Sequence, residues 1–166
     1  MKRSYLLLIV TLLTVSAIKA QTPVQLNDDL AGITDSLFSK GQKWGLTFTD
    51  AYKDGNYSPL KPLTAGMLIF INSKIAYVQN MKDIKNSKPL RMAMLDLLAF
   101  EKQMISEDFR AFELFDSTTT KEKLQAALDQ LTEKSKEEDA YVRKVAAAQQ
   151  VYAAENGFTI EPGKQE

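Results

Sequence analysis

Apolar residues recur at steps of three, four and seven through four long stretches of this chain, and that period belongs to an α-helix buried along one face. The first stretch, from about Val24 to Tyr52, carries Leu26, Leu30, Ile33, Leu37, Trp44, Phe48 and Ala51. The second, from about Leu60 to Ile84, carries Leu60, Leu63, Met67, Ile71, Val78 and Met81, and Ile69, Phe70 and Tyr77 widen it to more than one buried side. The third, from about Lys88 to Phe115, carries Leu90, Met94, Leu97, Leu98, Ile105 and Phe112. The fourth, from about Thr120 to Asn156, carries Leu124, Leu128, Leu131, Val142, Val145, Ala146 and Ala153. No alternating strand pattern competes, and no fixed-period repeat points to a solenoid.

Helix breakers fall between these stretches. Asp54, Gly55 and Asn56 make a turn, and Ser58 is a candidate cap with Pro59 and Pro62 near the first helical turn, where a missing N–H is tolerated. Asn86 and Ser87 offer caps ahead of Pro89, Thr119 and Glu122 have capping-box spacing, and Gly157 is a natural stop. Connections this short force successive helices to pack antiparallel. The expectation is an all-α, up-down-up-down four-helix bundle over residues 21–157, with crossing angles near about 20° and a loosely ordered tail over residues 158–166. Phe158 and Ile160 are the tail residues able to fold back. A three-helix core with one loosely docked segment is the competing arrangement.

Residues 1–20 read as a secretory signal: Lys2 and Arg3, then an apolar run from Tyr5 to Leu13 interrupted by Thr11, then small residues ending at Ala20. Cleavage is expected after Ala20, with Ala17 as the alternative site; an uncleaved N-terminal anchor is the competing reading. The apolar run is short for a membrane span, and no span is expected in the mature chain. Losing Lys2, Arg3 and Lys19 removes three of 21 basic residues and none of 21 acidic ones, which leaves a net charge of −3. That weakly acidic balance offers no electrostatic footprint for nucleic acid or for anionic lipid. The expected location is the periplasm, the cell surface or the medium.

The chain has no histidine and no cysteine. The commonest metal ligand, the usual base of a serine hydrolase and every thiolate site are therefore missing. A di-iron bundle of the Glu-x-x-His kind cannot be assembled. No cofactor, no metal site and no catalytic residues are expected. A carboxylate pair remains the one route to acid–base chemistry, and Glu101 with Glu138 is the pair to nominate.

Polar residues interrupt the stripes at one level. Lys74 lies between Ile71 and Val78, Glu101 between Leu97 and Ile105, Lys40 just off centre on the first helix, and Ser135 and Glu138 between Leu131 and Val142. Folding the chain at its turns places all five in one layer across the middle, with Lys74 and Glu101 expected to pair. Such a layer sets register, or its lysines snorkel to water. Alternatively it forms a site for a small zwitterion or carboxylate, with Gly41 and Gly45 making room beside Trp44. The candidate ligand-binding set is Lys40, Trp44, Lys74, Glu101, Ser135 and Glu138. Phe100, Phe109, Phe112 and Phe115 exceed what one stripe needs; they are expected to divide between the core and a bundle end or partner face.

Gly41-Gln42-Lys43-Trp44-Gly45, Leu97-Leu98-Ala99-Phe100-Glu101-Lys102 and the run Ala148 to Phe158 resemble a family of small secreted or surface-exposed helical bacterial proteins of unknown function. The resemblance implies an exported helical module and supplies no catalytic residues. Some relatives carry a lipid-anchor cysteine, which this sequence lacks. The expected function is a non-enzymatic binding or structural module of the bacterial envelope, with an envelope or extracellular protein as partner. A small-ligand carrier built on the polar layer and a carboxylate-dependent hydrolase or lyase are the alternatives.

Overall fold

The computed structural model describes residues 21–160; the expected signal over residues 1–20, its cleavage near Ala20 and the tail end over residues 161–166 lie outside the described residues. Four α-helices follow one another: α1 (Pro23–Asp54), α2 (Leu60–Asn80), α3 (Lys88–Met104) and α4 (Lys121–Asn156). A π-helical turn (Ile105–Phe109) and a 3-10 turn (Phe112–Leu114) continue α3 toward α4. Among the described residues there is no strand, and no helix is long and apolar enough to cross a membrane.

Local chemistry sets the helix ends. α1 begins in a capping box: Gln25 N–H donates to Thr22 Oγ1 at 3.2 Å, and Thr22 N–H donates to Gln25 Oε1 at 2.9 Å. α1 ends at Gly55, whose φ of 67° is left-handed. A Cβ there would also sit 3.3 Å from the Cα and Cβ of Ser117, so both conformation and space select glycine. Ser58 does not cap α2; its N–H and hydroxyl both donate to Asn56 Oδ1 instead. α2 stops at Asn80, four residues before the expected end, because Ile84 N–H and Ser87 Oγ close a turn at 2.9 Å. α4 is capped by Thr120, which accepts from Lys123 N–H, while Thr119 accepts from Asp116 N–H. At its far end Gly157 is left-handed with φ 72°, Phe158 N–H bonds Ala153 C=O at 3.1 Å, and the Phe158 ring meets Tyr152 edge-on.

α3 packs on α2 and α4, α2 packs on α1, and α1 touches α4 more sparingly. Tyr77 near the end of α2 donates to Asp29 near the start of α1 at 3.0 Å, and Trp44 late in α1 donates to Thr64 early in α2 at 3.3 Å. The stripes of α1 and α3 are buried nearly throughout. α2 buries one face only: Ile69 is 72% exposed and Tyr77 43%, so the expected second buried side is corrected. On α4, Leu124, Val145 and Ala153 are buried, Leu128 and Leu131 are half-buried, and Val142 and Ala146 face solvent. α3 covers α4 closely and α1 does not, which leaves that flank of the α4 stripe without a lid.

Candidate functional site

The six candidate residues divide among four places. Glu101 sits at the centre of the α3 stripe and is 7% exposed. It faces Glu138 of α4, which is half-buried. A carboxyl buried beside a second carboxyl holds its proton more tightly. Burial first, then the hydrogen bond to Glu138 and its charge, push the Glu101 carboxyl up to about 9. At neutral pH Glu101 is therefore a neutral acid hydrogen-bonded to Glu138. Around this pair Phe100 stacks on Tyr141 with centroids 4.6 Å apart, and Lys144 Nζ meets Asp96 at 2.6 Å.

The lysines are elsewhere. Lys40 Nζ lies 5.0 Å from the centre of the Phe70 ring, and Lys74 Nζ lies 5.4 Å from that ring and 5.5 Å from Tyr77. Both ammonium groups thus sit over aromatic faces on the outer side of α1 and α2, and the expected Lys74–Glu101 pair does not form. The reason is physical. A four-carbon stem lets an ammonium reach hydrated aromatic surface instead of a dry interior, whereas a glutamate held at the stripe centre escapes its charge by protonation. Ser135 is exposed on α4. Trp44 is 3% exposed and belongs to the core, where its Nε1–H donates to Thr64 Oγ1, which in turn donates to Leu60 C=O.

A feature the sequence did not announce is the π turn. It holds one more residue per turn than an α-helix and so rotates the residues beyond it about the helix axis. Phe100, before it, faces α4; Phe109, at its last position, and Phe112, beyond it, lie against Trp44 of α1. Trp44 meets Phe109 at 4.3 Å and Phe112 at 5.6 Å, and stacks on Phe48 at 5.5 Å with planes 5° apart. Phe115 meets Tyr57 edge-on at 5.9 Å. The surplus of phenylalanines is thus divided between two interfaces and buried at both. The same turn buries Asp108, whose Oδ1 accepts from Gln130 of α4 while Oδ2 has no hydrogen-bond partner among the described residues. No periodic signal marks Asp108 or Gln130 in the sequence.

Beside the aromatic cluster a cleft of about 490 Å³ opens between late α1 and early α4. Phe48, Tyr52, Leu124 and Leu128 wall it, and Lys53 and Lys121 stand at its rim. A shallower depression of about 320 Å³ shares Leu128 and continues along α4 past Leu131 to Ser135. Gly45 and Gly41 precede Phe48 by three and seven residues and so share its face of α1. A Cβ on either would meet nothing within 4 Å. Glu101 lines neither this cleft nor four other surface clefts of the described residues. Among the described residues no group of three or more His, Cys, Asp or Glu side chains is placed to hold a metal ion. No protein-family model matches this chain, and no curated protein or solved structure matches it either.

Proposed function

We propose that the chain is a non-enzymatic binding module of the bacterial envelope or cell surface, exported behind its N-terminal signal and arranged as an up-down-up-down bundle. The pairings between helices support the antiparallel order. Asp29 meets Tyr77 and Trp44 meets Thr64 between α1 and α2; Asp96 meets Lys144 and Phe100 meets Tyr141 between α3 and α4, and Asp108 of the π turn that continues α3 meets Gln130 of α4. In each set the residue number rises on one helix as it falls on the other.

One observation carries the functional reading: the Glu101 carboxyl is buried, while an apolar-walled cleft stands open elsewhere. A general acid needs hydrogen-bond reach to its substrate, and Glu101 is buried and lines neither the α1–α4 cleft nor four other surface clefts. A ligand in the polar layer would need the lysines, which lie over Phe70. The α1–α4 cleft has the size and the mixed apolar and polar lining of a binding site. Protein purified from its own host, with a photo-crosslinking residue at position 128, tests this by native mass spectrometry and crosslinking. Retained mass or an adduct at position 128 is expected, and Leu128→Asp should abolish the retained mass. A bare mass with no adduct overturns the reading.

A further inference from the structure

We propose that the α1–α4 cleft binds a linear amphiphile with an anionic head, of the long-chain carboxylate class; this rests on the reading of the chain as a binding module. The walls argue for an apolar chain. Phe48, backed by Trp44, forms one side, and Leu124 and Leu128 form the other. The shape argues for a linear ligand. The cleft and its shallower continuation share Leu128 and together follow α4 from Leu124 to Ser135, about 16 Å at the helical rise per residue.

Charge fixes the head group and its direction. Lys53 and Lys121 stand at the wide end, and no acidic side chain lines the cleft there. Asp50 is the nearest acid that engages them: it lies 3.6 Å from Lys53 Nζ, with both side chains at least two-thirds exposed, so the lysine is weakly held. Two ammonium point charges on flexible stems suit a compact carboxylate. The far end, with Ser135, Lys136 and Asp139, is polar and of mixed charge, and Lys136 is engaged by Glu133. The head therefore belongs at Lys53 and Lys121, with the tail running toward Leu131.

Delipidated full-length protein titrated calorimetrically with saturated fatty acids of increasing length, below their micellar concentrations, tests the assignment. One site is expected, tightening about fourfold for each methylene that reaches the apolar wall, until the tail meets Ser135. The alcohol of equal length should bind at least tenfold more weakly. The variant Lys53→Glu/Lys121→Glu touches only exposed helix termini; it should reverse the preference toward an alkyl-trimethylammonium probe. Leu128→Asp should abolish binding, whereas Val151→Asp at the opposite end should not. Equal binding of anionic and cationic probes, indifference to charge reversal, or no binding overturns the ligand class. If fatty acids fail while a host-derived adduct still forms at position 128, the carboxylate assignment falls and the binding-module reading stands; if both fail, both fall.

Discussion

α1 and α4 are the two longest helices, of 32 and 36 residues, and they are held in opposite ways. α1 buries a residue at nearly every turn from Leu26 to Ala51. α4 buries Leu124 and then no other side chain completely until Val145. Across that interval α4 is tied to α3 and its π turn by polar or aromatic pairs: Gln130 to Asp108, Glu138 to Glu101, Tyr141 to Phe100 and Lys144 to Asp96. Apolar burial contributes most of the free energy that fixes a helix in place, and paired polar groups contribute less. The contrast locates the spare surface of the molecule: the half-exposed leucines of α4 are its unfinished core, and the cleft lies there.

The largest expected effect probes the α1 side. Trp44→Ala removes a buried ring that touches Phe48, Phe109 and Phe112, and should destabilise by about 3–5 kcal/mol in urea melts followed by circular dichroism. Leu131→Ala on α4 should cost only about 1 kcal/mol, because its side chain is half-buried already. Equal costs would erase the distinction between the helices.

The pH dependence tests the α4 side. Glu101 is raised from 4.5 to about 9 in the folded protein, so folding takes up a proton between those values. Its stabilising contribution is complete below about pH 4.5 and is lost as pH rises toward about 9. The slope through the middle of that window should approach roughly 1.4 kcal/mol per pH unit. With no histidine or cysteine in the chain, Glu101 is the side chain whose proton occupancy differs between the folded and unfolded states from about pH 6 to 8. Urea midpoints should therefore fall by the equivalent of about 2–3 kcal/mol across that interval. Glu101→Gln should flatten the profile. Glu138→Gln should narrow the window without closing it, since burial is the larger cause.

Helix number and class were legible because each stripe repeats over many turns, and long repeats average out local ambiguity. Rotation about a helix axis was not. The stripe fixes the height of Lys74 on α2, but the residue lies on the flank, next to Phe70 and Tyr77, and that small angle decides between core and surface. Glu101 sits at the centre of its stripe, where burial could be read directly. The π turn was hidden because one added residue breaks no period that a single helix reveals. Asp108 and Gln130 meet only because of that turn, so neither could be nominated.

A smaller effect lies in the joint between the two helices. Gly55 ends α1 in a left-handed conformation against Ser117, just before α4. Gly55→Ala should cost about 1–2 kcal/mol from the backbone alone, and the displaced Ser117 should loosen the start of α4 before anything in α1.

Thr22→Ala and Thr120→Ala are matched perturbations of the two helices, each removing one side-chain acceptor from a first turn, and each should cost about 1 kcal/mol or less. Their reach should differ. Fraying of α1 meets Leu26 and Leu30, both fully buried, within two turns, and Asp29 is also held by Tyr77. Fraying of α4 meets Leu124 and then only half-buried leucines. Amide exchange should therefore rise over residues 23–26 alone in the first variant, but over residues 121–131 in the second. The second variant should also weaken any ligand of the cleft, because Leu124 and Leu128 are its wall. Exchange confined to the first turn in both variants would mean that the polar pairs with α3 hold α4 as firmly as burial holds α1.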